Sequence, residues 1–123
     1  MRLLLDTHVV IWWDAGQQLS AVATKAIQDA DEVFGSAASA WEIAIKSALG
    51  KISSKRTIAV AAAQSGLDEL PVAFAHSAQL ALLPTHHHDP FDRMIIAQVM
   101  VEGLTLVTRN GALQQYGSPT IRA

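Results

Sequence analysis

The sequence Arg2-Leu3-Leu4-Leu5-Asp6, near the start of the chain, gives the strongest indication of the fold class. Its three consecutive leucines are typical of a short strand that is buried in a hydrophobic core. Residues 7–13 follow as a turn that enters a helix. A buried strand that runs into a helix is the unit from which α/β proteins are built, with helices covering the faces of a largely parallel sheet.

The same alternation of strands and helices continues along the sequence. Further strands are predicted at residues 32–36, 70–72, 104–108 and 120–122. Further helices are predicted at residues 20–30, 40–49, 57–65, 75–83 and 90–102. Ser39 is expected to cap the second of these helices, and Gly50 is expected to end it. We therefore predict a three-layer α/β/α sandwich with a central, mostly parallel sheet, built as a single domain over residues 1–123.

The composition excludes several classes of protein. The chain has 123 residues and no cysteine, which rules out disulfides, zinc–thiolate sites and thiol nucleophiles. No apolar stretch approaches the roughly 18 residues that a membrane-spanning helix needs, and Asp6 interrupts the first apolar run too early for a signal peptide. We expect a cytoplasmic protein that does not bind membranes. Because the formal net charge is −2, nucleic acid would have to bind through a local basic patch or a bound metal.

Four acidic side chains stand in or at the ends of apolar runs. They are Asp6, Glu42, Asp89 and Asp92. A carboxylate is rarely buried without a partner, because its desolvation is costly. Since ligands of parallel sheets gather at the carboxyl ends of the strands, all four acids can reach the same edge of the sheet. The pattern predicts a cluster of carboxylates whose mutual repulsion is offset by a divalent cation.

Each acid also has a simpler structural interpretation. Asp6 or Asp89 can cap the helix that follows it, and Asp92 would lie in a first helical turn, where the macrodipole favours a negative charge. Glu42 and Lys46 are spaced as a surface ion pair along one helix, although the apolar neighbours of Glu42 leave little polar face for it. Both interpretations are open for single residues, and the joint pattern favours the metal site.

The chemistry of such a site follows from its ligands. Oxygen ligands in a chain without cysteine favour Mg²⁺ or Mn²⁺ over zinc. Either ion can lower the pKa of a bound water, orient that water, and stabilise charge on a phosphoryl oxygen. The sequence has no Gly-Lys-Thr/Ser phosphate loop, no Gly-x-Gly-x-x-Gly and no Gly-x-Ser-x-Gly motif. Metal-assisted hydrolysis or transfer at a phosphoryl group is therefore the favoured chemistry.

Four motifs occur in order across essentially the whole chain. They are Leu4-Leu5-Asp6-Thr7-His8, Ser39-Ala40-Trp41-Glu42-Ile43-Ala44-Ile45-Lys46, Asp89-Pro90-Phe91-Asp92-Arg93-Met94-Ile95-Ile96-Ala97-Gln98 and Leu104-Thr105-Leu106-Val107-Thr108-Arg109-Asn110. Together they resemble the motifs of PIN-domain ribonucleases, especially the VapC-type toxins of toxin–antitoxin operons. The resemblance implies RNA cleavage that depends on Mg²⁺ or Mn²⁺, inhibition of translation, a homodimer, and a cognate antitoxin whose C-terminal segment occupies the active-site groove.

The resemblance also implies roles for individual acids. Asp6, Glu42 and Asp92 match the three family acids that hold the metal. Asp89 matches an acid that is either a supporting ligand or a helix cap. The family position after the Thr-Arg pair is often aspartate but is Asn110 here. An amide brings no negative charge, which weakens the case for a second tightly held metal.

Polar and basic residues beside these motifs complete the predicted site. Thr7 and Thr108 either orient metal-bound water or make ordinary hydrogen bonds at strand ends. Lys46, Arg93 and Arg109 are the predicted contacts to RNA phosphates, and solvated surface is the alternative.

The histidine run and the tryptophans have less specific interpretations. The segment His86-His87-His88 is expected in a surface loop, with contact to an RNA phosphate as the alternative. Trp41 is expected in the core, with base stacking as the alternative. Trp12 and Trp13, together with the alanine-rich helix at 57–65, are expected to form a dimer or antitoxin surface.

Two other classes of protein compete with the ribonuclease. A signalling receiver domain also places acids around Mg²⁺ at strand ends, but it needs an adjacent acidic pair after the first strand and a lysine after the last. Here Thr7 follows Asp6, and Val107-Thr108-Arg109 contains no lysine. A non-catalytic PIN-like binding module is favoured by Asn110 and would lack turnover that depends on metal. We predict a metal-dependent endoribonuclease.

Overall fold

Parallel strands form the central sheet of the protein. In the computed structural model, which describes residues 1–52 and 58–123, this sheet has five strands. They are β1 (Arg2–Leu5), β2 (Glu32–Ser36), β3 (Asp68–Leu70), β4 (Thr105–Thr108) and β5 (Thr120–Arg122). Their order is β3-β2-β1-β4-β5, and each neighbouring pair is parallel. The chain builds outward from β1 in both directions, so the strand order reverses between β1 and β4.

Helices connect the strands and cover both faces of the sheet. They are α1 (Thr7–Asp14), α2 (Ala21–Asp29), α3 (Ala37–Ala48), α4 (Ile58–Ser65), α5 (Phe74–Leu82), α6 (Pro90–Glu102) and a 3₁₀ helix (Gly111–Tyr116). The predicted three-layer α/β/α architecture is confirmed. Nothing in the described ranges combines the helix length and the hydrophobicity that a bilayer crossing demands.

The leucines of β1 bury both faces of the sheet. Leu3 and Leu5 pack into one hydrophobic cluster, which includes Val9 of α1. Leu4 packs into the other cluster, on the opposite face, which includes Ile96 of α6. All three leucines are fully buried. Because burying one leucine side chain contributes about 2 kcal/mol, this short strand anchors the helices of both outer layers.

The start of α3 differs from the prediction. The helix begins at Ala37 and is capped by Ser36, whose hydroxyl accepts a hydrogen bond from the backbone N–H of Ala38 at 3.0 Å. Ser39, the predicted cap, is buried and bonded to the hydroxyl of Thr7. Two serines three positions apart are both plausible caps, and the sheet decides between them because β2 ends at Ser36.

The bounds of β3 and α4 can also be compared with the prediction. β3 lies at Asp68–Leu70 rather than at residues 70–72, because it pairs with residues 34–36 of β2. The helix predicted at residues 57–65 corresponds to α4, and Thr57 itself lies outside the described residues.

The start of α6 is fixed by Asp89 and Pro90. Asp89 Oδ1 accepts hydrogen bonds from the backbone N–H groups of Phe91 at 2.9 Å and of Asp92 at 3.0 Å. Pro90 is the first helical residue, where its missing N–H costs nothing. Gly103 ends the helix with a φ of 66°, a conformation that favours glycine. These signals place Asp92 in the first turn of the helix.

Candidate functional site

Asp6 stands directly after β1, at the carboxyl edge of the sheet. Its backbone N–H donates to the carbonyl oxygen of Val107 in β4 at 3.1 Å, so the residue lies between the two strands where the order reverses. Its side chain is buried. Oδ1 accepts a hydrogen bond from the N–H of His8 at 2.9 Å, and Oδ2 accepts one from the hydroxyl of Thr108. Asp6 is therefore both the N-cap of α1 and a buried carboxylate in the crevice of the sheet.

Glu42, on α3, is a buried carboxylate with one satisfied oxygen. The residue is only 2% exposed. Oε2 accepts a hydrogen bond from Nζ of Lys46 at 2.5 Å. Oε1 is buried and has no hydrogen-bond partner in the part of the chain that the structure describes. Because a buried carboxylate oxygen without a donor is costly, Oε1 marks a place where a cation or a further donor fits.

Asp92 lies in the first turn of α6, and its pKa is affected by the charges of the other acids. Its Oδ2 lies 2.9 Å from Nε2 of His87. Burial raises the pKa of Asp92 to about 6, against the lowering effect of the hydrogen bond with His87. The charges of Asp89, Asp6 and Glu42 raise this pKa further. The four carboxylates are therefore close enough to act on one another. We refer to Asp6, Glu42, Asp89 and Asp92 as the acid cluster.

The acid cluster is not arranged as a finished metal site. Within residues 1–52 and 58–123, no three His, Asp or Glu side chains come together so that they could hold a metal ion as they stand. Glu42 is engaged by Lys46 instead. Asp92 is engaged by His87. The donor set nevertheless fits a hard divalent cation, because the charges of the other three carboxylates act on Asp92 and one oxygen of the cluster, Oε1 of Glu42, is buried without a partner.

The three predicted supporting residues make hydrogen bonds within the protein. The hydroxyl oxygens of Thr7 and Ser39 lie 2.8 Å apart. The hydroxyl of Thr108 donates to Asp6 and accepts from the backbone N–H of Asn110 at 3.0 Å. The side chain of Asn110 caps the 3₁₀ helix. Thr108 thus contacts the acid cluster directly, whereas Asn110 is linked to it through Thr108.

The two arginines predicted to contact RNA have structural partners. Arg93 donates to the backbone carbonyl oxygen of His87 at 3.4 Å, beside the start of α6. Arg109 donates to the carbonyl oxygen of Ala123 at 3.1 Å, and its guanidinium lies 4.2 Å from the centre of the Trp12 ring. Both guanidinium groups therefore stabilise the fold, and their contact with RNA stays a prediction.

His87 belongs to the site, although the sequence did not single it out from the histidine run. The histidine run lies in a loop, as the sequence predicts, and His87 within that loop contacts Asp92. Its neighbour His86 packs edge to face on Tyr116, with ring centroids 5.2 Å apart. The available signal was position, because His87 comes two residues before Asp89, the cap that fixes the start of α6.

Trp41 lies on the surface, so the prediction that it packs in the core is wrong. It is 64% exposed and packs edge to face on Phe91, with ring centroids 5.2 Å apart. Both rings border an apolar cavity of about 330 Å³ between α3, α5 and α6. The cavity is lined by Ala37, Ala38, Trp41, Val72, Leu80, Pro90, Phe91 and Met94. Trp12 and Trp13 are instead half-buried against the core.

Comparison with known proteins agrees with the motifs. The family model described as "PIN domain" matches residues 3–118. The chain is 34% identical to the protein named Ribonuclease VapC22 of Mycobacterium tuberculosis over 125 residues, which cover 95% of this chain and 93% of that protein.

Solved structures share the same fold. The DNA-bound VapBC structure from Salmonella typhimurium matches with a TM-score of 0.75 at 18% identity, covering 99% of this chain and 98% of that one. The structure of VapBC2 from Rickettsia felis, bound to a fragment of promoter DNA, matches with a TM-score of 0.74 at 14% identity, with 99% and 98% covered. At these identities, the structural matches support the fold alone.

Proposed function

The chain belongs to the PIN-domain family, and from this premise we propose that it is an endoribonuclease that depends on Mg²⁺ or Mn²⁺. We further propose that it is the toxin of a toxin–antitoxin pair and that it inhibits translation by cutting RNA. The relative in Mycobacterium tuberculosis is named a ribonuclease and matches nearly the whole chain, which supports RNA as the substrate.

The observation that carries the proposal is the buried, unpartnered Oε1 of Glu42 within the acid cluster. Most buried side-chain oxygens in proteins have a hydrogen-bond partner, so a buried oxygen without one calls for an explanation. Here the second oxygen is unpartnered, and the pKa of Asp92 is raised chiefly by burial and further by the charges of the neighbouring carboxylates. Such clustered negative charge is typical of a site that receives a cation.

Asp6, Glu42 and Asp92 are the residues that we assign to hold the ion, with Asp89 in support. A bound Mg²⁺ or Mn²⁺ would supply positive charge for the phosphodiester oxygens and a water of lowered pKa. Asp6 is already oriented from two sides, because one oxygen caps α1 and the other is bonded to Thr108. The pKa of Asp92, near 6, leaves this carboxylate mostly ionised above neutral pH.

We propose an antitoxin as the protein partner. Two of the structural matches are VapBC assemblies, which supports a partner of this kind. A segment of the antitoxin that carries an arginine or lysine would fit the acid cluster, since a cationic side chain satisfies carboxylates as a metal does.

We also propose a homodimer, through a surface that differs from the one expected from the sequence. Trp12 and Trp13 are half-buried and pack against the core, so they offer less surface than expected. Phe74 and Leu82, at the two ends of α5, are 96% and 77% exposed, and Trp41 on α3 is 64% exposed. Exposed apolar side chains, of which Trp41 also lines the apolar cavity, are typical of an interface, and we assign the dimer contact to this α3–α5 face.

Incubation of the purified protein with tRNA, rRNA and mRNA tests the enzymatic function. Cleavage is expected with Mg²⁺ or Mn²⁺ and not with EDTA. Asp6→Asn removes one negative charge from the cluster and should lower the rate on the order of a hundredfold or more. Asp29→Asn is the matched control, because Asp29 lies on the exposed face of α2 with its side chain 63% accessible. Equal cleavage by Asp6→Asn and wild type would count against the assignment.

A non-catalytic PIN-like module is the second candidate function. Asn110 favours it, because this position has an amide instead of a carboxylate, and the amide caps the 3₁₀ helix. The same incubation separates the two candidates, since a binding module would retain RNA without cutting it in the presence of either metal.

A further inference from the structure

Lys46 reaches into the acid cluster from within α3. Its ammonium lies 2.5 Å from Oε2 of Glu42, one helical turn away. The side chains of the pair are 30% and 3% exposed, respectively. The pair formed by Lys25 and Asp29 on α2 has the same spacing, but its side chains are 80% and 63% exposed. The ion pair of Lys46 is therefore part of the site, whereas that of Lys25 is an ordinary surface pair.

Lys46 also interacts with acids that it does not touch. Its pKa is raised by the hydrogen bond to Glu42, and the charges of Asp89 and Asp92 add to this effect. A single ammonium group thus interacts electrostatically with several carboxylates. The guanidinium of Arg93, also close in sequence to the cluster, is directed at backbone carbonyl oxygens instead.

We propose that Lys46 is an internal counter-ion of the acid cluster, which neutralises Glu42 and competes with a divalent cation for its carboxylate. This inference deepens the proposed function and rests on it, because the competing cation is the metal assigned to the cluster. The fold then carries its own cation for the cluster, and a metal ion that approaches the unpartnered Oε1 of Glu42 binds against the positive charge of this ammonium.

If Lys46 competes with the metal, removing its ammonium group should have two opposite effects, a loss of stability without metal and a gain in metal affinity. Without the ammonium, the buried carboxylate of Glu42 loses the partner of its Oε2, so the protein without metal becomes less stable. The same change removes a positive charge beside the incoming ion, so metal affinity rises. A lysine that merely held Glu42 in position would give a different pattern, in which both stability and metal affinity fall.

The experiment compares Lys46→Met, Lys46→Gln and Lys46→Arg with wild type. Methionine preserves the length and helix propensity of the side chain, glutamine preserves a hydrogen-bond donor, and arginine preserves the charge. Lys25→Met is the matched control, because it breaks the exposed pair on α2. The melting temperature is measured in EDTA, and the Mn²⁺ dissociation constant by titration calorimetry.

Lys46→Met should melt several degrees below wild type in EDTA and should bind Mn²⁺ on the order of tenfold more tightly. Lys46→Gln should also bind Mn²⁺ more tightly and keeps the test decisive if the methionine variant does not fold. Lys46→Arg and Lys25→Met should bind Mn²⁺ as wild type does. Unchanged or weaker binding by both neutral variants, with Mn²⁺ bound by wild type, would overturn the counter-ion role alone. Failure of wild type and every variant to bind Mn²⁺ would instead overturn the proposed metal-dependent function, and the counter-ion role with it.

Discussion

Thr108, at the end of β4, donates a hydrogen bond to Oδ2 of Asp6, at the end of β1, although the two residues lie 102 positions apart in the sequence. Both residues are buried. The bond joins the two strands between which the order of the sheet reverses. It also fixes one oxygen of a proposed metal ligand, while the other oxygen caps α1. Outer residues that orient a ligand in this way commonly support its function.

Substitution of Thr108 by valine tests this orientation. The variant Thr108→Val keeps the shape of the side chain but leaves Oδ2 of Asp6 and the N–H of Asn110 without their partner. We expect a loss of about 1–3 kcal/mol in the free energy of unfolding and a drop in RNA cleavage of roughly 10- to 100-fold. Urea denaturation and initial rates measure the two effects. Thr105→Val, on the same strand, is the control, and equal losses in both variants would show that the hydrogen bond is not the cause.

Much of the fold could be predicted because it depends on short apolar runs and helix caps. The run Leu3-Leu4-Leu5 has no polar side, so burial on both faces of a sheet is the arrangement that suits it. The sequence Asp89-Pro90 fixes the start of α6, because the carboxylate accepts two backbone hydrogen bonds and proline fits the first turn. The pairing of Glu42 with Lys46 also follows from spacing alone.

The contacts that were missed depend on how distant elements meet. Trp41 looked like a core residue because its neighbours in sequence are apolar, but its direction on α3 carries it to the surface beside Phe91 of α6. The contact between His87 and Asp92 depends on the path of the loop before α6, and the position of His87 two residues before Asp89 does not determine that path. Periodicity predicts which side of an isolated helix is exposed. In the folded protein, tertiary packing determines which side of the helix is exposed.

The raised pKa of Asp92 predicts a stability that depends on pH. Its folded value of about 6 lies above its ordinary value of 3.8, chiefly because of burial. As pH rises, the unfolded chain therefore releases this proton first, and the folded protein loses stability between about pH 4 and pH 6. Above that window, the full cost of the ionised group remains.

Asp92→Asn cannot ionise and should escape this cost. In EDTA at pH 7.5 the variant should exceed wild type by about 1–3 kcal/mol in the free energy of unfolding, and the gap should close near pH 4. Urea titrations at both pH values measure the difference. Asp29→Asn, on an exposed side chain, should show no such gap. A wild type that is as stable as Asp92→Asn at pH 7.5 would contradict the prediction.

The exposed apolar side chains of α5 predict where two copies meet. Phe74 and Leu82 are 96% and 77% exposed, and charging both should disrupt a dimer that buries them. Light scattering of wild type should give a mass near twice 13.2 kDa, and the double variant Phe74→Lys/Leu82→Lys should give the monomer mass. Val22→Lys, at an apolar site 69% exposed on α2, is the control. A strictly monomeric wild type at high micromolar concentration would contradict the proposed dimer. A double variant that still dimerises would contradict the assignment of the dimer contact to this surface.

The antitoxin and the metal are expected to compete for the acid cluster. If an arginine or lysine of the antitoxin enters the acid cluster, it takes the carboxylates that a divalent ion needs, so the two ligands exclude each other by linkage. Excess Mn²⁺ should therefore weaken antitoxin binding several-fold, and Asp6→Asn should weaken antitoxin binding and also make it less sensitive to Mn²⁺. Calorimetric titration of the antitoxin with and without millimolar Mn²⁺ measures the effect, with NaCl of equal ionic strength as the control for screening. An antitoxin affinity that responds to NaCl and Mn²⁺ alike would place the bound segment elsewhere, because general screening would then explain the whole effect.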